Sequence, residues 1–330
     1  SYAENDKPMD VGAGVLAGGS VARRATAQPT ASGWPSRPVR IIVPFSAGGT
    51  TDILAREMAA RFGERWKASV VIENKGGAGG NLGTTLAVQA PADGYTLLCA
   101  SVGPIAVSPS LVRKLPYNPL TDLVPIVFIA DVCNVLVVHP SVPANTAEEF
   151  IAHLKRNPGT MNYGSTGIGT AAHLTGALFC LRTGTVAQHV PYRGAEAVND
   201  LITGRIQFMF ATAPSIVGQI RAGKVRALAV TGDERSRAFP DLPTLKEKGL
   251  ASFDSGSWFG FFAPRGTPQH VIDAVNGAVN DAFKEPVLQA KLVSNGADPQ
   301  GGTPDRFGQF VKAEIDKWRA VIQETGVQPE

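Results

Sequence analysis

The sequence predicts an α/β protein of two lobes, with mostly parallel sheets, two crossover connections and a cleft between the lobes. Three observations predict it. Short β-branched runs alternate with amphipathic helical stretches, the pattern of parallel strands joined by right-handed crossovers. The alternation occurs twice, on either side of a long apolar segment, residues 126–139, broken by Asp131 and Asn134. A chain of 330 residues also exceeds one ordinary core, so two cores are expected.

The first set opens at residues 39–45 (VRIIVPF), a β-branched run that suits a strand covered on both faces. A turn, Ser46 to Gly49, follows. Residues 51–66 then predict a helix, because Leu54, Met58, Phe62 and Trp66 fall four apart on one stripe. Thr50 or Thr51 is placed to cap it, and Asp52 sits in the first turn, where the helix dipole favours an acid. Residues 69–73 form the second strand, 76–80 a glycine-rich loop, 81–89 a helix and 96–100 the third strand.

Segment 126–139 is long enough to leave one sheet and enter another. Beyond it the rhythm restarts. Strands are expected at 161–163, 187–191, 206–211 and 226–231. Helices are expected at 146–155, 171–182, 195–203 and 214–222. A further strand at 258–263 and helices at 269–283, 285–295 and 305–324 return to the first lobe. The expected domains are a tail at 1–36, lobe 1 at 37–131 and 254–330, and lobe 2 at 132–253. The crossings fall near Asp131 and Asp254, and a hinged pair of lobes would hold a ligand at the carboxyl ends of its strands.

The tail carries mixed signals. Ala25-Thr26-Ala27 before Gln28 has the form of an export cleavage site. Yet Glu4, Asp6 and Asp10 precede the weakly apolar part, and Arg23-Arg24 follow it, the reverse of an export signal. It is read as a degraded signal or as added sequence, outside the fold argument.

Composition excludes several classes. Hydrophobic residues at 44% and charged residues at 18% describe a globular chain, not a disordered one. The 36 Gly and 24 Pro imply many tight turns, without the G-X-Y period of collagen. A net charge of +3, with no basic run beyond a pair, argues against nucleic acid. No apolar stretch reaches the roughly 20 residues of a membrane span. Cys99, Cys133 and Cys180 lie far apart and form no CxxC, so they read as small buried hydrophobes. The five histidines show no metal-binding spacing. Neither a metal nor a cofactor is expected.

The informative chemistry lies at two strand-to-helix turns, residues 44–52 (PFSAGGTTD) and 163–170 (YGSTGIGT). In each, small residues leave backbone N–H groups bare at a helix start, where orphan donors and the dipole attract anions. Ser46, Thr50, Ser165, Thr166 and Thr170 add hydroxyl donors. Neither turn has the Lys of a Walker loop. The second meets the dinucleotide fingerprint only in its G/A variant, deep in the chain. Neutral donors suit a carboxylate better than a polyphosphate. Either turn alone reads equally well as an ordinary glycine turn; the pair favours a site, able to hold both ends of a small dicarboxylate or an amino acid.

Other candidates surround these turns. His173 either donates to a ligand or packs in its helix. Arg193 either makes a bidentate carboxylate contact or stays on the surface. Ser101, and Ala211 with Thr212, end strands that point at the cleft. Phe45 is placed to form an apolar wall, while Trp258 and Phe259 read as core. Catalysis lacks support: Ser165 is not in a nucleophile elbow, and Asp52 has no evident partner.

The run from Trp34 to Asp52 (WPSRPVRIIVPFSAGGTTD) resembles the Bug receptors, the solute-binding components of tripartite tricarboxylate transporters. Residues 71–81 (VIENKGGAGGN), 93–97 (DGYTL), 163–173 (YGSTGIGTAAH), 190–194 (VPYRG) and 241–244 (DLPT) extend the resemblance over almost all of the chain after Trp34. It implies a type II periplasmic-binding fold and a carboxylated ligand, held partly through waters. By motif match the contacts fall on Phe45, Ser46, Ala47, Gly48, Gly49 and Asp52, and on Ser165, Thr166, Gly169, Thr170 and His173. It further implies a periplasmic location and membrane permease subunits as partners. Two alternatives stay open: a ligand-sensing module serving a sensor kinase, and an enzyme acting on a carboxylate through Ser165 or His173.

Overall fold

The computed structural model describes residues 33–250 and 255–328. The tail up to residue 32, with its cleavage-like site, and the expected crossing at Asp254 lie outside the described residues.

The chain begins β1 (Val39–Val43), α1 (Thr50–Trp66), β2 (Val70–Asn74), α2 (Asn81–Gln89) and β3 (Thr96–Ser101). A π-helical turn at Gly103–Val107 and two one-turn helices, α3 (Ser108–Leu111) and α4 (Pro119–Asp122), lead into β4 (Leu123–Val132). One residue later comes β5 (Asn134–Val138). Then follow α5 (Ala147–Arg156), β6 (Asn162–Ser165), α6 (Ala171–Thr183), β7 (Gln188–Pro191), α7 (Glu196–Thr203), β8 (Phe208–Thr212), α8 (Ala213–Arg221) and β9 (Arg226–Val230). The return is β10 (Ser257–Pro264), α9 (Gln269–Ala282), α10 (Pro286–Ser294), β11 (Ala297–Pro299) and α11 (Pro304–Thr325).

These elements form two sheets, ordered β11-β4-β10-β3-β1-β2 and β7-β6-β8-β5-β9. The sheets are mixed, which qualifies the expected mostly parallel arrangement. In the first sheet β1 to β4 run one way and β10 and β11 the other; in the second, β5 alone is reversed. The reason is the crossing itself. The chain passes straight from β4 into β5, so it enters the second sheet against its neighbours. It comes back along β10, antiparallel to β4.

Asn134 ties the two passages together. Its Nδ2 donates to the Ser255 carbonyl at 2.7 Å, and its Oδ1 accepts from the Ser257 hydroxyl at 3.3 Å. The side chain is fully buried, so both bonds form away from water.

The α1 stripe packs as its spacing predicts. Leu54, Met58 and Phe62 are buried with Val271 and Val275 of α9, and half-buried Trp66 stacks on Phe62 at 4.5 Å. Its start differs from expectation. Gly49 is the N-cap, and neither Thr50 nor Thr51 caps the helix, because both are already its first helical residues; the Thr50 hydroxyl instead meets Thr212. On the other sheet face, α11 packs Val311, Ile315 and Trp318 against Phe128 and Trp258.

Candidate functional site

A cavity of about 60 Å3 lies between the two sheets, room for roughly five water-sized groups. Lobe 1 supplies Phe45, the α1 start at Gly49, Thr50 and Thr51, and Ser101, Val102 and Gly103 after β3. Lobe 2 supplies Thr166 and the α6 start at Thr170, Ala171 and Ala172; Gly194, Ala195 and Val198 around α7; and Met209 to Thr212 with Ser215 around α8. Ser257 and Phe259 of β10 complete the wall.

Four helices, α1, α6, α7 and α8, therefore begin at one cavity. None has a side-chain cap, whereas α5 and α11 elsewhere are capped by Thr146 and Thr303. Uncapped starts also occur at α9 and α10, so the convergence, rather than the missing caps, sets this cavity apart. Orphan first-turn N–H groups and dipole ends favour an anion here, chiefly at α1 and α6. At α7 the Ala195 N–H is held by Ser46 and Glu196 stands in the first turn, and at α8 the Ala213 N–H donates to the Cys133 carbonyl. The lining contains no Lys, Arg, His, Asp or Glu. Its polar side chains are hydroxyls, and the remainder is apolar, with Phe45, Val198, Met209 and Phe259 prominent. Among the described residues no cluster suits a metal ion.

Of the sequence candidates, Phe45, Gly49, Ser101, Thr166, Thr170, Ala211 and Thr212 line the cavity. The others sit behind or beside it. Ala47 and Gly48 are exposed. The Gly48 N–H donates to Asp52 at 2.9 Å, which turns the peptide away from the cleft. Asp52 is partnered after all: Asn74 Nδ2 donates to it at 2.9 Å and Arg56 at 3.0 Å. Burial raises its pKa, but the donors Asn74, Gly48 and Arg56 together hold the carboxyl below its ordinary value. The i,i+4 spacing to Arg56 was the available signal. Arg193 is exposed, and its carbonyl, not its guanidinium, faces the first turn.

The second turn is braced from within. The Ser165 hydroxyl lies 2.6 Å from His189 Nε2 and accepts the Gly167 N–H at 3.1 Å. The Gly169 N–H donates to His173 Nδ1 at 3.1 Å. Thr170 Oγ1 donates to the Gly167 carbonyl at 2.7 Å. The loop amides of Gly167 and Gly169 are thus engaged, and the donors of this turn open to a ligand are the Thr166 hydroxyl and the first-turn N–H groups of α6. Ser165, Gly169 and His173 do not line the cavity.

The lobes touch around it. The Ser46 hydroxyl donates to Glu196 at 2.9 Å and accepts the Ala195 N–H at 3.1 Å. Gly194 makes this possible: a Cβ there would stand 2.2 Å from Ser46 Oγ. Gly79, with φ +65, backs onto the Ile168 carbonyl, where a Cβ would stand only 2.1 Å away. Sequence reasoning missed Phe259, which reads as core and is 3% exposed yet lines the cavity. Because β10 runs backwards, its beginning rather than its end meets the cleft. Trp258, on the opposite face, is core as expected.

Residues 54–327 match the family model described as tripartite tricarboxylate transporter family receptor. The chain belongs to this receptor family. The receptor is 38% identical to BugT of Bordetella pertussis over 301 residues, 91% of this chain and 92% of that protein. It is similar in structure to the periplasmic binding protein BugD, with TM-score 0.87 and 35% identity over 90% of this chain and 100% of that one. An R. palustris protein solved with adipate superposes with TM-score 0.88 and 36% identity over 90% and 100% of the two chains. MatC from Rhodopseudomonas palustris with bound malate gives 0.83 and 31% over 88% and 100%. The two-lobed periplasmic-binding fold expected from the sequence is therefore the receptor's fold.

Proposed function

We propose that this receptor binds a small carboxylate in the inter-lobe cavity, acts in the periplasm and delivers its ligand to the membrane permease subunits of a tripartite tricarboxylate-type uptake system. One observation carries the reading: four helix starts converge on a cavity whose wall holds no ionisable side chain. The open first-turn N–H groups, chiefly those of α1 and α6, favour a negative group without a lysine or arginine. A carboxylate is satisfied by N–H and O–H donors of this kind. Two relatives of similar structure, solved with adipate and with malate, support the same class.

On this reading residues 37–131 with 254–330, and residues 132–253, move as two bodies about the adjoining crossings. Thr166 and Thr170 on one body, and Gly49 and Thr50 on the other, meet the ligand on closure. The protein binds and releases without chemistry. Ser165 and His189 are spaced like a nucleophile and its base, but Ser165 is fully buried and outside the cavity wall.

A thermal-shift panel of malate, adipate, citrate and aspartate tests the proposal, on protein refolded to strip carried-over ligand. A ligand at 100 times its Kd adds about 2.7 kcal/mol. A shift with one or more acids, and intact acid recovered afterwards, supports a receptor. A flat response across a broad organic-acid panel removes the ligand class, and chemical conversion of the acid removes the receptor reading.

A further inference from the structure

We propose that His173 and His189 are positioning residues: a neutral, stacked pair that holds the second turn in its ligand-ready shape without touching the ligand. The inference rests on the reading that this cavity is the ligand site. The two rings lie 3.7 Å apart and 5° from parallel. Neither lines the cavity. Each instead reaches a different point of the loop that presents Thr166 and Thr170 to it.

His173 Nδ1 accepts the Gly169 N–H at 3.1 Å, so its own proton sits on Nε2. His189 Nε2 engages Ser165 Oγ at 2.6 Å, and that oxygen accepts the Gly167 N–H. Gly167 and Gly169 both have positive φ, +141 and +78. A loop with two such residues has many alternative conformations. Tied at Gly167 and Gly169, it has one, and Thr166 and Thr170 are fixed with it.

The titratable groups packed around the pair are few. Tyr163 of β6 lies 5.1 Å from the His189 ring, and its hydroxyl donates to the His173 carbonyl at 3.2 Å. The influences on His173 are burial alone, and on His189 burial and then His173; no carboxylate offsets either. Burial accordingly lowers His173 to about 4, and burial with the neighbouring ring lowers His189 to about 3. Both are neutral at pH 7. Protonating His173 converts Nδ1 from acceptor to donor, facing the Gly169 N–H, and protonating both rings sets like charges face to face. Both folded values lie below the unfolded one, near 6.5. The unfolded chain therefore binds more protons between the two, and the brace weakens as pH falls from about 6.5 toward 4.

Three variants test this. His173→Asn places Oδ1 where Nδ1 accepts, without a titrating group; His189→Gln does the same for Nε2; His173→Leu keeps bulk and removes the acceptor. Amide exchange of Gly169 is followed by NMR in ligand-free protein, with malate and adipate affinities measured by calorimetry. Wild type and H173N should protect Gly169, whereas H173L should exchange it about tenfold faster or more. Affinity should stay within about threefold for H173N and H189Q and fall about tenfold or more for H173L. Acid titrates the ligands too, so the pH arm is the ratio of wild type to H173N, which should drop between pH 6.5 and 4. Rapid Gly169 exchange in wild type, H173L binding like wild type, or a flat ratio overturns the inference. The exchange arm needs no ligand. It decides the case even where malate and adipate both fail to bind and the receptor reading falls, and His189→Leu, which keeps bulk and removes the Ser165 partner, serves with the same expected loss should H173L not fold.

Discussion

The Thr50 and Thr212 hydroxyls meet at 2.5 Å across the cleft, one in the first turn of α1 and the other at the N-cap of α8. The bond joins residues of opposite lobes; on the two-body reading proposed above, it forms only when they close. Thr212→Val keeps the shape and removes the hydroxyl. A net hydrogen bond is worth about 1 kcal/mol, or roughly fivefold in the closed-to-open ratio. Small-angle scattering of ligand-free T212V should give a larger radius of gyration than wild type. An unchanged radius would show that this contact does not hold the lobes together.

Gly194→Ala should act on closure and leave folding intact. The added Cβ would meet Ser46 Oγ at 2.2 Å and Ser46 N at 2.9 Å, both on the other lobe. Gly194 is not among the glycines of positive φ, so each lobe should fold as before. The expected outcome is a near-normal unfolding midpoint with any carboxylate-induced thermal shift largely lost. A full shift in G194A would mean that the lobes close by another path.

Asn134→Ala should cost stability at the crossing. It strips the Ser255 carbonyl of its side-chain donor and the Ser257 hydroxyl of its acceptor, both buried. Leaving buried polar groups unpaired costs about 1–3 kcal/mol. Urea unfolding should show a free energy lower by that amount, read as a lower midpoint at unchanged slope. A loss under about 0.5 kcal/mol would match an ordinary surface site.

Asp52→Asn should destabilise the first turn in a pH-dependent way. The carboxylate accepts from Gly48, Asn74 and Arg56, and its folded pKa lies below the unfolded one. Its contribution is therefore present above the unfolded value, near 3.9, and disappears as pH falls through the folded one. Bonds to a charged group suggest a loss of about 1.5–3 kcal/mol at pH 7. Chemical unfolding of D52N and wild type should differ at pH 7 and converge in strong acid. A constant difference across pH would assign the effect to shape and not to charge.

Much of this architecture is legible in the sequence, because its causes are local. The four-residue spacing from Leu54 to Phe62 makes a stripe wherever α1 happens to pack. The β-branched run at 39–43 needs only burial on both faces. The small residues at 46–49 and 164–170 announce two helix starts. What tertiary structure decided is which of those groups meet. Ser46 finds Ala195 and Thr50 finds Thr212 across 149 and 162 positions of sequence, and no periodicity spans such distances. The reversal of β10, which brings Phe259 to the cleft, follows from the chain's return through the crossing. His189 gains its part from a neighbouring strand and a stacked ring. Sequence settles what each segment can offer, since backbone preference and helix ends depend on residues within a turn or two; only the docking of two sheets, driven by their shared cores, selects which offers become contacts.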